Sequence, residues 1–239
     1  MQEAYHRLIN IFTFIQSKER HFPALETIIE PVVNNTDADA QYDRDGFYER
    51  IRFVADPLLS LIILITLSPL ILIVAVVIKI SGRGPVIYSQ DRVGKNGKPF
   101  LIYKFRSMKY DSEHRGPLLS GINEERVSTI GRFLRKYRID EIPNFINVMK
   151  GDMSVVGPRP ERQLFIDQIL KTEPGYIELQ KVKPGITSWG QVKYGYASSV
   201  EEMVERTQYD LFYLKHRSPW FDLKILIYTL GVIFKGKGV

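Results

Sequence analysis

The only long apolar run in the chain, Leu58–Ile78, is interrupted at its middle by Ser68-Pro69. As a straight helix these 21 residues would reach roughly 30 Å, the thickness of a bilayer core. Pro69 has no backbone N–H, and its ring collides with the carbonyl four residues back, so the sequence predicts a sharp bend or a break there. Cations stand on both sides of the run: Arg50 and Arg52 before it, Lys79 and Arg83 after it. A spanning helix normally carries its Lys/Arg excess at one end. Basic flanks at both ends fit a helix that enters, turns at Ser68-Pro69 and leaves by the same face. Spans outnumber re-entrant segments, so the run taken alone reads first as a kinked single span. The flanking charges bring in the re-entrant alternative.

The remaining composition fits a tethered enzyme. There is no cysteine, which excludes disulfides, thiolate metal sites and a thiol nucleophile. Lys and Arg outnumber Asp and Glu by 33 to 27, and the net charge of +6 attracts anionic lipid, nucleotide or nucleic acid without choosing among them. No cleavable signal peptide is expected, because Leu8–Ile15 is short, is broken by Asn10 and Thr13, and lacks a small-residue cleavage site.

Three segments follow from composition: an extension and linker over 1–49, the membrane helix over 50–83, and a catalytic domain over 84–239. In the extension, Leu8, Ile9, Ile11, Phe12 and Ile15 fall at helical spacing, an apolar patch follows over Ile28–Val33, and Asn34–Gly46 reads as a solvated linker. Asp37-Ala38-Asp39 matches a D-x-D metal motif, but no apolar strand leads into it. As a calcium loop it has Tyr42 where the sharp-turn Gly belongs and Tyr48 where the bidentate Glu belongs. Beyond the membrane helix, Pro85–Tyr88 and Phe100–Tyr103 are β-prone, and Asn96-Gly97 between them predicts a hairpin with a type I′ turn. Gly94–Lys98 lacks phosphate-loop spacing. Helices are expected over 130–137, 142–149, 162–170 and 200–215. Over Trp220–Phe234 the pattern suits either an interfacial helix, with Trp220, Phe221, Tyr228 and Phe234 beside Lys235 and Lys237, or an ordinary core helix.

Polar residues with chemical potential concentrate between Arg132 and Arg162. Arg132, Arg135, Lys136 and Arg138 precede Asp140-Glu141, Arg159 and Arg162 follow, and Lys104 and Arg106 stand at the hairpin exit. Carboxylates among cations suit metal-assisted phosphoryl transfer: cations offset phosphate charge, one carboxylate holds Mg²⁺, another attacks phosphorus. The same residues also read as a helix start, with Asp140 as cap, Glu141 in the first turn and Pro143 behind it. Two glycine-proline segments, Gly151–Pro160 and Lys183–Val192, look like more than turns, because prolines on both sides restrain the backbone of Arg159.

In the order of its motifs, the chain from about residue 48 to 239 resembles the bacterial sugar transferases, or monotopic phosphoglycosyl transferases. The elements are the Asp56-led apolar segment with Ser68-Pro69, Gly84-Pro85-Val86, Gln90–Gly94, Lys104–Met108, Gly131–Arg135, Asp140–Pro143, Gly151–Pro160 and Lys183–Thr187. The resemblance implies an α+β fold, predominantly helical, with a re-entrant membrane helix hairpin broken at Ser68-Pro69. A small catalytic domain would carry a β-hairpin and interfacial amphipathic helices.

It implies transfer of a sugar-1-phosphate from a UDP-sugar to polyprenyl (undecaprenyl) phosphate with release of UMP. The setting would be the cytoplasmic face of a bacterial inner membrane, at the start of O-antigen, capsule or exopolysaccharide assembly. Asp140 would be the nucleophile that forms a phosphosugar-aspartyl intermediate, and Glu141 the residue associated with Mg²⁺. Lys104 and Arg159 would lie at the phosphates, with Arg106 and Arg135 in matching motifs. The implied partners are the UDP-sugar donor, the polyprenyl phosphate acceptor and the lipid bilayer, with no nucleic acid, and a homo-oligomer is left open. The chain departs from the pattern at Ser188, Lys193–Ala197 and Asn144, positions that bear on sugar identity. The rival class is a non-catalytic basic module that binds anionic lipid or nucleic acid at a membrane surface. Such a module has no use for the Asp140-Glu141 pair.

Overall fold

The computed structural model describes residues 35–109 and 125–238, with side chains from Gly46 onward. The helix expected over Leu8–Ile15 lies outside these residues. Arg50 onward forms one compact unit. Among the described residues it is mainly helical, with two small two-stranded sheets, in line with the expected α+β class.

Helix α1 (Asn35–Thr66) ends two residues before Ser68, and α2 (Ser68–Ile80) restarts with Pro69 in its first turn. Their axes meet at 64°. Ser68 Oγ donates to the Ile65 carbonyl at 2.8 Å, offsetting part of what the proline takes from the backbone ladder. Among the described residues no single helix is long and apolar enough to cross a membrane, but this bent pair passes by length and composition together. Residues 35–46, expected to be a linker, form the first turns of α1 instead.

The α1–α2 segment is asymmetric. Leu58, Ile62, Ile65, Leu72 and Ile73 are exposed, whereas Val74 and Ile78 are buried. The buried pair packs with Phe105, Leu134 and Ile142, so the helix that follows the break rests on the scaffold of the Asp140-Glu141 turn. Each such aliphatic side chain taken from water contributes about 2 kcal/mol. Arg52, expected to be a flanking charge, is buried: it bonds to Ser154 Oγ and the Val156 carbonyl and faces Asp56 and Asp222 at 3.8 Å. Arg50, Lys79 and Arg83 remain exposed.

Strands β1 (Ile87–Val93) and β2 (Pro99–Phe105) form the expected antiparallel hairpin, in register from Ile87↔Phe105 to Val93↔Pro99. Asn96 (φ 57°) and Gly97 (φ 72°) both adopt positive φ, as a type I′ turn requires. Helix α3 (Thr129–Lys136) packs so closely on the hairpin exit that a Cβ on Gly131 would lie 1.8 Å from the Ser107 carbonyl oxygen. That carbonyl is held in place by the Ser128 N–H at 3.1 Å. Gly131→Ala is therefore expected to destabilise the fold by about 3 kcal/mol or more, measured as a lower denaturation midpoint.

After a short turn, Ile139–Glu141, comes α4 (Asn144–Lys150). Asn147 on α4 is fully buried and mimics a strand partner: Oδ1 accepts from Tyr103 N–H (3.0 Å) and Nδ2 donates to the Leu101 carbonyl (2.7 Å). This clamp sets β2 against the acidic turn. Strands β3 (Ser154–Val156) and β4 (Gly185–Thr187) pair in parallel, which joins the two glycine-proline segments. Gly157 and Gly185 lie in backbone contact there, leaving no room for a side chain.

The remaining helices are α5 (Gln163–Thr172), α6 (Tyr176–Leu179), α7 (Trp189–Lys193), α8 (Val200–His216) and α9 (Pro219–Phe234). α5, α6 and α8 enclose a second core around Phe165, Ile166, Ile169 and Met203. The core reading of α9 holds on one face, and the other face is exposed. Ile225 and Tyr228 are core residues and Phe221 packs edge-on against Trp189, while Trp220, Leu223, Leu230 and Phe234 stay exposed. Of the four aromatics expected at an interface, Phe221 and Tyr228 thus turn inward.

Candidate active site

The Asp140-Glu141 pair sits on a turn entered through strained backbone. Arg138 has φ 52° and ψ 22°, left-handed for a residue with a side chain. That geometry swings the chain from the end of α3 so that both carboxylates become buried, each 7% exposed. Neither caps the next helix, whose first-turn cap position is taken by Pro143.

Their surroundings differ sharply. Glu141 Oε1 meets Lys104 Nζ at 2.6 Å and Arg159 Nη1 at 3.3 Å, and Oε2 meets Arg138 Nη1 at 3.2 Å. Burial pushes the Glu141 carboxyl up, but Lys104, Arg159 and Arg138 together outweigh it and hold the group well below the usual carboxylate range. No hydrogen bond or ion pair among the described residues engages the Asp140 carboxylate. Burial first, and then the neighbouring Glu141, raise it above the ordinary value. The sequence predicts two carboxylates of equal, ordinary acidity. The structure separates them, because all the close cations went to one.

Lys104 and Arg159 thus lie at the pair. Arg135 lies near enough to favour the charged form of Asp140 and donates Nε–H to Ser107 Oγ at 2.9 Å. Arg106 lies elsewhere: Nη1 donates to the Arg83 carbonyl (2.6 Å) and Nη2 to those of Ile78 (2.9 Å) and Gly82 (3.0 Å). It caps the C-terminal end of α2, where free carbonyls and the helix dipole favour a cation. Ser68 and Pro69 stand at the helix break and contribute no group to the pair.

Sequence reasoning assigned no site role to Arg138, Arg92, Glu161, Arg206 or Asp210. Glu161 binds Arg206 Nη2 at 2.6 Å and Arg92 Nη1 at 3.1 Å. Asp210, 3% exposed, accepts from Gly190 N–H at 2.8 Å. A usable signal was present for two of them: Arg206 and Asp210 share a helix face at i, i+4 and are charged on the side that α8 buries. Burial pushes Asp210 from its ordinary 3.8 up to about 6, against the pull of Arg206 and its hydrogen bonds. The folded state then binds this proton more tightly than the unfolded chain. The stabilising contribution is full below pH 4 and is lost as pH rises to about 6. Asp210→Asn is expected to flatten that part of the profile, as read from thermal midpoints between pH 4 and 7.

Two guanidinium N–H groups, Nε of Arg92 and Nε of Arg138, are buried with no acceptor among the described residues. The cluster therefore holds donor capacity beyond what its own carboxylates use. For a metal, no group of three or more His, Cys, Asp or Glu exists among the described residues. Mg²⁺ needs no such cage, since it binds through one or two carboxylates with waters and substrate phosphates. Asp140 and Glu141 would supply that donor set, with the Asp140 oxygens unengaged and those of Glu141 shared with Lys104, Arg138 and Arg159.

Residues 47–236 match the family model for bacterial sugar transferases. The chain is similar to the UDP-N-acetylgalactosamine-undecaprenyl-phosphate N-acetylgalactosaminephosphotransferase of Aeromonas hydrophila, 42% identical over 191 residues, or 80% of this chain and 45% of that protein. It is similar to the UDP-glucose:undecaprenyl-phosphate glucose-1-phosphate transferase of Escherichia coli (strain K12), 40% identical over 193 residues, covering 80% of this chain and 41% of the relative. It is also 39% identical over 184 residues to an uncharacterized sugar transferase, EpsL, of Bacillus subtilis (strain 168), covering 75% of this chain and 85% of that one. The chain spans less than half the length of the first two curated relatives. With the match running through the bent helix, the hairpin and the charged turn alike, the chain belongs to the bacterial sugar transferase family.

Proposed function

We propose that the chain transfers a sugar-1-phosphate from a UDP-sugar to undecaprenyl phosphate and releases UMP, using Asp140 as nucleophile. The observation that carries this reading is the division of labour in the acidic pair. Glu141 is held as a carboxylate by three cations, while Asp140 is buried beside it without a partner of its own. A carboxylate stripped of water and of hydrogen bonds is a better nucleophile than a solvated one.

In the first step an Asp140 oxygen attacks the sugar-bearing β-phosphorus. The bond from that phosphorus to the bridging oxygen breaks, and UMP departs with the electron pair. In the second step an oxygen of the lipid phosphate attacks the same phosphorus, the Asp140 carboxylate leaves, and a polyprenyl diphosphosugar forms. Lys104, Arg138 and Arg159 offset the charge on the phosphoryl oxygens and on departing UMP. Mg²⁺, held by Glu141, would supply further neutralisation of the diphosphate when bound. The Aeromonas hydrophila and Escherichia coli relatives are named for different sugars at nearly equal identity, so the proposal is for UDP-sugars as a class.

The exposed apolar face of the α1–α2 segment suits insertion from one side, which supports a site at a membrane surface. Exposed Arg50, Lys79 and Arg83 remain as flanking charges for the cytoplasmic leaflet. The chain has no cysteine, so single cysteines at Asp45 and Asn96 can be labelled without background. Both are expected to react from the same side of intact cells. Labelling of one from outside by an impermeant reagent, and not the other, would establish a kinked span. Pro69→Ala is expected to shift the chain toward such a spanning form. For the activity itself, a panel of UDP-sugars assayed for UMP release in detergent extract decides. Binding of anionic vesicles with no turnover of any donor would favour the basic membrane module.

A further inference from the structure

A second buried carboxylate lies in the same charge network and has no part in the reaction above. Glu161 is 5% exposed. Its Oε1 lies 2.6 Å from Arg206 Nη2 and 3.9 Å from Arg159 Nε, and its Oε2 lies 3.1 Å from Arg92 Nη1. The three guanidiniums come from β1, from α8 and from the Pro158–Pro160 segment, elements far apart in sequence. Arg159 is the only one of the three that also reaches Glu141, through Nη1 at 3.3 Å.

The geometry of a guanidinium gives this arrangement a consequence. Its N–H groups form a rigid planar fork, so fixing the Nε edge determines where the Nη atoms point. Pro158 and Pro160 restrain the backbone of Arg159 but do not act on the torsions of its long side chain. Glu161 does, through the attraction of its charge across 3.9 Å to the Nε edge. Burial further limits its own freedom: with Arg92 and Arg206 on its two oxygens, the Glu161 carboxylate cannot rotate without breaking one ion pair.

We propose that Glu161 is the positioning residue for Arg159, fixing the rotamer that turns the guanidinium toward the phosphates at the Asp140-Glu141 pair. Arg92 and Arg206 hold Glu161 in turn. The inference rests on the functional reading above, because the donor diphosphate is what Arg159 is aimed at.

A purely structural ion pair joining β1 to α8 would give a different result in a double-mutant cycle. The full chain in detergent is measured as wild type, Glu161→Gln, Arg159→Lys and the double variant. UDP affinity is read by calorimetry and kcat/KM by UMP release. In the wild-type background Glu161→Gln is expected to lower both by about 10- to 100-fold. In the Arg159→Lys background it should cost no more than about twofold, since the group it positions is already gone. Equal losses in both backgrounds overturn the proposal. Should Glu161→Gln fail to fold, Glu161→Asp keeps the charge, withdraws the carboxylate by one methylene, and is expected to show the same non-additivity. UDP binding separates this inference from the functional one. A wild type that binds UDP yet releases UMP from no donor refutes the transferase reading and leaves the coupling readable from affinity alone. A wild type that binds no UDP overturns both.

Discussion

Asp140→Asn is expected to abolish UMP release, with or without lipid acceptor, while leaving the fold at least as stable as before. The two halves of this expectation have one cause. Asp140 is buried and has no hydrogen bond or ion pair among the described residues, and its ionised form is disfavoured first by burial and then by Glu141. Replacing it with a neutral amide of the same shape removes an unfavourable charge from the interior, so the thermal midpoint should hold or rise. Loss of a covalent nucleophile, in contrast, costs on the order of 10⁴-fold or more in rate. Glu141→Gln should behave in the opposite sense. It leaves Lys104, Arg138 and Arg159 without their common counter-ion, so stability is expected to fall by about 3 kcal/mol. Partial recovery of turnover at high Mg²⁺ is expected for Glu141→Gln and not for Asp140→Asn. The decisive measurement is an acid quench of enzyme with labelled UDP-sugar and no acceptor, followed by peptide mapping. A sugar-phosphate on Asp140 that disappears when polyprenyl phosphate is added supports two-step transfer. No adduct, with turnover only when both substrates are bound, would make Asp140 a base for direct transfer.

Arg159→Lys is expected to lower kcat/KM by about two orders of magnitude although it preserves charge. Arg159 faces two carboxylates with two edges of one plane, Nη1 toward Glu141 at 3.3 Å and Nε toward Glu161 at 3.9 Å. A lysine ammonium is a single point and cannot hold both, so it should settle on one acid and leave the phosphate side unserved. Loss of one charge-assisted hydrogen bond in a site shielded from water is worth about 2–3 kcal/mol, which corresponds to this rate effect. Steady-state kinetics beside a thermal midpoint checks it. Turnover near the wild-type rate would reduce Arg159 to a residue that shapes the turn between its prolines.

Local features were legible in the sequence wherever a single residue type forces the backbone. Pro69 ended a helix, Asn96-Gly97 turned a hairpin with both residues at positive φ, and apolar spacing placed α3, α4, α5, α8 and α9 to within a few residues. The carboxylate pair was singled out only by the ordered motifs around it, since on its own residues Asp140-Glu141 also reads as a helix start. The same logic failed for residues 35–46, where polar composition suggested a linker and the chain continues a helix. Pro57, unlike Pro69, lies inside α1 without ending it.

Everything that depends on a distant partner was decided by tertiary structure. Arg52 and Arg106 look like surface or substrate cations in sequence, yet one is buried against Ser154, Asp56 and Asp222 and the other caps α2. Short segments such as β3 and β4 carry no periodic signal and exist only because each supplies the other's ladder. The difference between Asp140 and Glu141 is of the same kind. By itself the sequence determined that two acids would sit on one turn beside several cations. Which acid would be neutralised depended on where β2 and the Pro158–Pro160 segment deliver Lys104 and Arg159, because charge interactions act over a few ångströms of space and take no account of sequence separation.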